Sequence, residues 1–299
     1  MFTFTLDFIS THKFKFCLAC IWIFVLTAQP EPILLLRDYI AFTFLGVLGA
    51  VFANATGAGG GVVFVPFFNQ LALSNTTIVA TSFAIQCCGM TAGALTWWRH
   101  YRKMHTRDLD WQGTGIGLGV AVPLSIIGIL TAQFLISDYT DNALSSLPLY
   151  FGIFSILLSL AIYGSIPLMK RNVSLSHLTS VDLLLLAVIA FAGGIVTAWL
   201  SVGVGELVAV YLILRGFNTT FAIAVAVILS AFTVWGAIPY HLFVSNAVYW
   251  QIVIFAGAGA IIGGMIAKYV VLYFSPVRLK VFFATWVLIM GLTGLPVWS

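Results

Sequence analysis

The sequence predicts an all-α polytopic membrane protein forming a single domain over 1–299. Each half carries a glycine-tipped re-entrant hairpin and three transmembrane helices; the halves form an inverted repeat preceded by one extra N-terminal helix. Three observations predict this. Hydrophobic residues make up 61% of the chain and charged residues 7%, where a soluble domain carries roughly a quarter charged. Two apolar runs, 39–73 and 181–215, are each interrupted by a glycine cluster, Gly57-Ala58-Gly59-Gly60-Gly61 in one and Gly203-Val204-Gly205-Glu206 in the other. The tripeptide Asn-Thr-Thr then follows each run, at 75–77 and again at 218–220.

The first element is expected at 16–36, where Lys13 and Lys15 precede an apolar stretch and the flank Gln29-Pro30-Glu31-Pro32 lacks a small-x-small cleavage pattern. Further runs of spanning length occupy about 76–98, 109–136, 144–169, 217–243, 246–274 and 279–298, giving seven crossings with the first. The two interrupted runs would each be about 50 Å long as unbroken helices at 1.5 Å per residue, too long for one ordinary span. Each must therefore break at its glycines. The repeats are set at 39–169 and 181–298.

Charge chooses between two topologies. If each broken run dips in and returns, every Lys or Arg except Arg37 falls at one face, including the loop with Arg99, Arg102, Lys103 and Arg107, then Lys170, Arg171, Arg215, Lys268, Arg278 and Lys280. The positive-inside rule favours that arrangement, with the N-terminus cytoplasmic, Asp138 and Asp141 outside, and the C-terminus outside a plasma or inner membrane. Basic residues confined to short connections leave no nucleic-acid reading. The cysteines, Cys17 with Cys20 and Cys87 with Cys88, fit neither a disulfide framework nor a zinc site and are expected to be buried thiols. No cofactor, metal or catalytic residue is expected.

A helix broken at membrane depth leaves backbone groups that protein, a cavity or a ligand must satisfy. The short helix after each tip points its first N–H groups at the membrane centre. Two such termini converging would hold a small anion with no buried Lys or Arg, since a helix N-terminus carries about half a positive charge. The substrate-binding set is therefore Gly57, Ala58, Gly59, Gly60, Gly61, Gly203, Val204, Gly205 and Glu206, with Asn54, Thr56, Thr81, Ser82, Gln86 and Ser201 as nearby polar groups. Glu206 reads either as a coupling and gating carboxylate, which brings in a proton or cation as partner, or as a first-turn acid stabilised by the helix dipole. Asn75, Asn218 and Asp182 read as caps or turns. Gly113, Gly115, Gly117 and Gly119, with Gly257, Gly259, Gly263 and Gly264, are assigned to helix packing. Trp97, Trp98, Tyr101, Trp111, Tyr249 and Trp250 are expected at the membrane interfaces. Trp199 and Trp235 lie deeper, near the expected site. His100, His105 and His177 are expected to be solvated, and His241 shows no partner.

The run Gly57-Ala58-Gly59-Gly60-Gly61 followed by Pro66, then Ala80-Thr81-Ser82, with a second glycine motif in the other half, resembles the TauE/SafE family of sulfite and organosulfonate exporters over about 39–298. The resemblance implies a permease for small sulfur-containing anions such as sulfite or organosulfonates. Val204, Glu206 and Val210-Tyr211 depart from the family pattern, which expects more glycine and a proline there. An anion channel and a membrane-embedded enzyme are the alternatives, although the chain carries no HExxH or GxSxG motif. Cysteines introduced at Thr140 and Leu175 of a protein stripped of its native cysteines are expected to label from opposite sides of the membrane. Labelling from one side would break the span count between them.

Overall fold

The computed structural model describes residues 13–136, 146–167, 175, 177–293 and 295. Asp138, Thr140, Asp141, Lys170 and Arg171 lie outside them. Every described element is helical. α1 (Lys13–Thr27) and α2 (Pro32–Thr56) are followed by a short α3 (Gly61–Asn69), then α4 (Asn75–His100) and α5 (Thr114–Leu130), the last two each prolonged by a π turn. α6 (Leu147–Ser165) and α7 (Ser180–Leu200) precede the short α8 (Val204–Arg215), and α9 (Thr219–Phe243), α10 (Trp250–Tyr273) and α11 (Pro276–Thr293) complete the chain.

Local chemistry sets the boundaries. Ser74 caps α4 by accepting the Thr77 N–H at 3.2 Å. Thr179 and Asp182 form a reciprocal capping box on α7, and the Asn218 side-chain oxygen Oδ1 accepts from Thr220 N at 2.9 Å to start α9. The Asn-Thr-Thr tripeptides thus do different jobs: Asn218 is a cap, whereas Asn75 is the first helical residue behind the Ser74 cap. The first helix does not run over 16–36. It stops at Thr27, and Pro32 opens α2, because proline restrains the residue before it from helical conformation.

Among the described residues seven helices are long and apolar enough to cross a membrane, and five of them coincide with spans read from apolar runs. Pro32–Thr56 and Ser180–Leu200 join the set, and the described apolar parts of the helices over the expected spans 16–36 and 279–298 are Cys17–Thr27 and Lys280–Thr293. Each broken run is therefore one helix of full length followed by a short one. The short helices fold back. Phe42 on α2 meets Phe67 and Phe68 on α3, and Phe64 packs over Gly49, an antiparallel register. In the second run Asp182, at the start of α7, accepts hydrogen bonds from Tyr211 (2.7 Å) and Arg215 (2.6 Å) at the end of α8.

The two halves pack reciprocally. α2 lies along α10, and its counterpart α7 lies along α5; α4 and α9 face each other at the centre, and α6 faces α11. The most apolar windows of α4 and α9 are 78% and 83% buried against 17% for α2, so the paired central helices form the interior. Small residues permit the reciprocal contacts. A side chain at Gly46 would strike the Ala256 carbonyl and one at Gly259 that of Thr43; across the molecule, Gly128 faces the Phe191 carbonyl and Gly194 that of Ser125. This is the close backbone approach that glycine allows between membrane helices. Gly115 and Gly119 have nothing among the described residues within 4 Å of an added Cβ, so no contact there supports the packing assignment.

Several side chains sit elsewhere than expected. Trp97 and Trp111 are buried, Trp97 donating to the Asn54 carbonyl at 3.1 Å, because an indole with a satisfied N–H packs as well inside as at an interface. Trp235 is exposed, its indole N–H donating to Thr91 Oγ1 at 2.8 Å. Cys17 and Cys20 are exposed on α1. His241 has partners after all, stacking on Phe83 and contacting Gln133. His105 is tied to Asp108 at 2.6 Å and stacked on Trp111. Lys280, expected in a solvated connection, is instead buried at 8% exposure.

Gly194→Ala and Gly259→Ala are expected to lower stability by about 1–3 kcal/mol through overpacking. Gly119→Ala should change it by no more than about 0.5 kcal/mol. Chemical unfolding of the detergent-solubilised protein measures the difference.

Candidate functional site

The two breaks meet. α2 ends at Gly57 with a positive φ of 82°, and α7 ends at Ser201 with φ 58°, a left-handed turn that costs a non-glycine residue strain. Gly203 then takes φ 150° to launch α8. Each turn presents its carbonyl to the start of the other half's short helix: an added Cβ on Gly61 would collide with the Ser201 carbonyl, and one on Gly205 with the Gly57 carbonyl. Gly205 therefore does not break the helix, as the sequence suggested; it lies inside α8 and admits the opposing backbone.

The free N–H groups at the tips are bound by the chain's own side chains. Glu206, 2% exposed, accepts from Gly59 N through Oε1 at 2.6 Å and from Gly203 N through Oε2 at 2.8 Å. One carboxylate thus bridges both halves. Gln86 from α4 accepts from Gly60 N at 2.8 Å and donates through Nε2 to Ser82 Oγ, Ser201 Oγ and the Ser201 carbonyl. Val204 N donates to Thr197 Oγ1 at 2.9 Å. A cavity of about 10 Å³ lies among these groups, at the limit of about 10–15 Å³ that one water needs.

Of the residues chosen from sequence, Gly59, Gly60, Gly61, Ser82, Gln86, Ser201, Gly203, Val204, Gly205 and Glu206 come together at this junction, with Gly57 and the buried Ala58 beside it. Three do not. Asn54 donates to the carbonyls of Ala50 and Gly89 and sits against Gly93, tying α2 to α4. Thr81 accepts the Tyr249 N–H at 3.0 Å, away from the tips. Thr56 bonds back to Phe52 and lines a neighbouring cavity. Polar side chains in apolar helices commonly serve such local bonds.

Two contributors were missed. Thr197 is one, and Ser230 on α9 is the other, its buried hydroxyl at the junction without a hydrogen-bond partner among the described residues. Ser230 follows Gln86 by the same interval as Gly205 follows Gly61, so extending the repeat beyond the glycines would have found it.

Fold and junction together define a multi-pass membrane protein built on two fold-back broken helices joined through an oxyanion. The sequence model of the family described as Sulfite exporter TauE/SafE matches residues 42–293. The chain belongs to that family. Searches of curated proteins and of solved structures found no match.

Gly61→Ala and Gly205→Ala each force a methyl group into a backbone carbonyl and are expected to separate the tips. Cysteines placed at Ala58 and Val202 in a protein stripped of its native cysteines should crosslink with a short bifunctional reagent. The crosslink should be lost in either alanine variant while membrane insertion persists.

Proposed function

We propose that the protein is a secondary transporter of small sulfur-containing anions, such as sulfite or an organosulfonate, that binds its substrate at the junction of the two tips. One observation carries the reading: two amides from opposite halves grip the two oxygens of a single carboxylate. Amides at helix starts favour negative charge, and a site that holds R–CO₂⁻ with paired N–H donors has the chemistry to hold an S–O oxyanion. Family membership supports a permease of such anions. Ser230, with its unspent hydroxyl, adds a donor.

The halves relate as an inverted repeat, each entering with a re-entrant hairpin and continuing through three spans, N-terminus cytoplasmic and C-terminus outside. The fold-back of α3 and α8 and the reciprocal packing of α2 with α10 and α7 with α5 support it. In such transporters the site lies near the midplane between repeats, and rocking of one against the other alternates access. Glu206 is then the group that competes with the substrate for the tip amides. Protonation removes its charge and weakens its hold, which couples anion movement to a proton.

Proteoliposomes containing the protein are expected to take up sulfite saturably and to show counterflow; unitary currents without saturation would instead establish a channel. Flux should rise as pH falls through the range in which Glu206 takes up a proton. Glu206→Gln, neutral at every pH, should flatten that dependence. A pH profile identical to wild type would remove Glu206 from coupling.

A further inference from the structure

Behind the tip junction runs a second cavity, and its chemistry is not that of the tips. Thr56, Ser165, Glu206, Thr219 and Lys280 contribute to its wall, the remainder being apolar side chains such as Ile162 and Phe283. Lys280 is 8% exposed. Its ammonium donates to Ser165 Oγ at 3.1 Å, and that hydroxyl donates in turn to the Ile162 carbonyl at 2.7 Å. No carboxylate among the described residues lies within ion-pair distance of it. An ammonium has three hydrogens to give, so a single described acceptor leaves it under-satisfied. A buried charge without a counter-ion is among the most expensive groups a fold can carry.

We propose that this cavity is a second anion subsite, in which Lys280 holds a small inorganic oxyanion on its way to or from the tip amides, in competition with the Ser165 hydroxyl that accepts from its ammonium. The proposal rests on the transporter reading and adds to it a place and a size. The charge finds its counter-ion in the substrate. Glu206 borders both cavities, so an anion leaving Lys280 meets next the carboxylate it must displace. The space is about 30 Å³, room for about two waters at roughly 10–15 Å³ each. That suits a compact ion of sulfite's kind and disfavours a sulfonate with an extended organic tail.

The test uses the full-length protein, sodium sulfite as probe, isethionate as the tailed comparison, and the variants Lys280→Met and Ser165→Ala. Lys280→Met should raise the half-saturating sulfite concentration, in binding and in flux, by about tenfold or more, the usual worth of a hydrogen bond to a charged group. The same variant should melt at a higher temperature than wild type, because it removes an unpaired buried charge. Ser165→Ala frees the ammonium from its protein partner, so sulfite affinity should be kept or tightened. Wild-type protein should prefer sulfite to isethionate. Sulfite affinity unchanged in Lys280→Met overturns the subsite, and so does a variant that loses both stability and binding, since Lys280 would then be a structural anchor. If wild type carries sulfite and Lys280→Met carries it equally well, the subsite alone falls. If wild type neither binds nor carries sulfite or isethionate, the transporter reading falls with it.

Discussion

The contact on which the architecture depends is the carboxylate of Glu206 held between Gly59 N and Gly203 N. Interrupting two apolar helices leaves N–H groups that hydrocarbon cannot satisfy, each costing several kcal/mol if abandoned. The fold answers by bringing the interruptions together so that one side chain closes both. Gln86 repeats the device from α4, reaching Gly60 N on one side and Ser201 on the other. Polar satisfaction and the joining of the two tips are therefore one interaction, made by side chains, because among the described residues no backbone-to-backbone hydrogen bond joins one tip to the other.

Such a junction demands close approach, and the rest of the molecule is shaped to allow it. Gly61 under the Ser201 carbonyl and Gly205 under the Gly57 carbonyl set the distance between the tips. Gly46, Gly259, Gly128 and Gly194 let the flanking helices approach to the same degree. The result is a reciprocal pair of contacts in which each half supplies what the other lacks. Of the two bonds that Glu206 accepts, only that from Gly59 crosses between the tips, because Gly203 and Glu206 belong to the same helix start.

The tips were legible in the sequence because glycine is demanded there by geometry, through a positive φ at Gly57 and Gly203 and through close approach at Gly61 and Gly205. Ser201 was legible only as a hydroxyl. Its left-handed backbone carries no residue-type signal, because serine is not chosen for that conformation. Asn54 and Thr81 lie apart from the tips for the opposite reason: a polar residue in an apolar helix announces that it needs a partner without saying which, and both have theirs in neighbouring segments. Run length carried the first helix too far because a proline pair follows its end at Thr27 and hydropathy does not see where a helix stops. Lys280 is the clearest case. A lysine near a helix start reads as a surface charge, and only the packing of α6 against α11 shows that it is enclosed.

That enclosure also bears on the charge argument for topology. The positive-inside rule counts residues that must be kept on one side during insertion; a buried ammonium facing a polar cavity is placed by the fold and not by that preference. Removing Lys280 from the count leaves Arg99, Arg102, Lys103, Arg107, Arg215, Lys268 and Arg278 still on one face under the fold-back arrangement. The antiparallel register of α7 with α8, fixed by Asp182 and Arg215 at their open end, requires the chain to leave the second tip in the direction from which it came. The charge rule and the hydrogen bond are independent of each other. Both favour the proposed fold-back arrangement without Lys280, which leaves this lysine to be explained by its own surroundings, a hydroxyl, a cavity and a carboxylate that lines the same cavity.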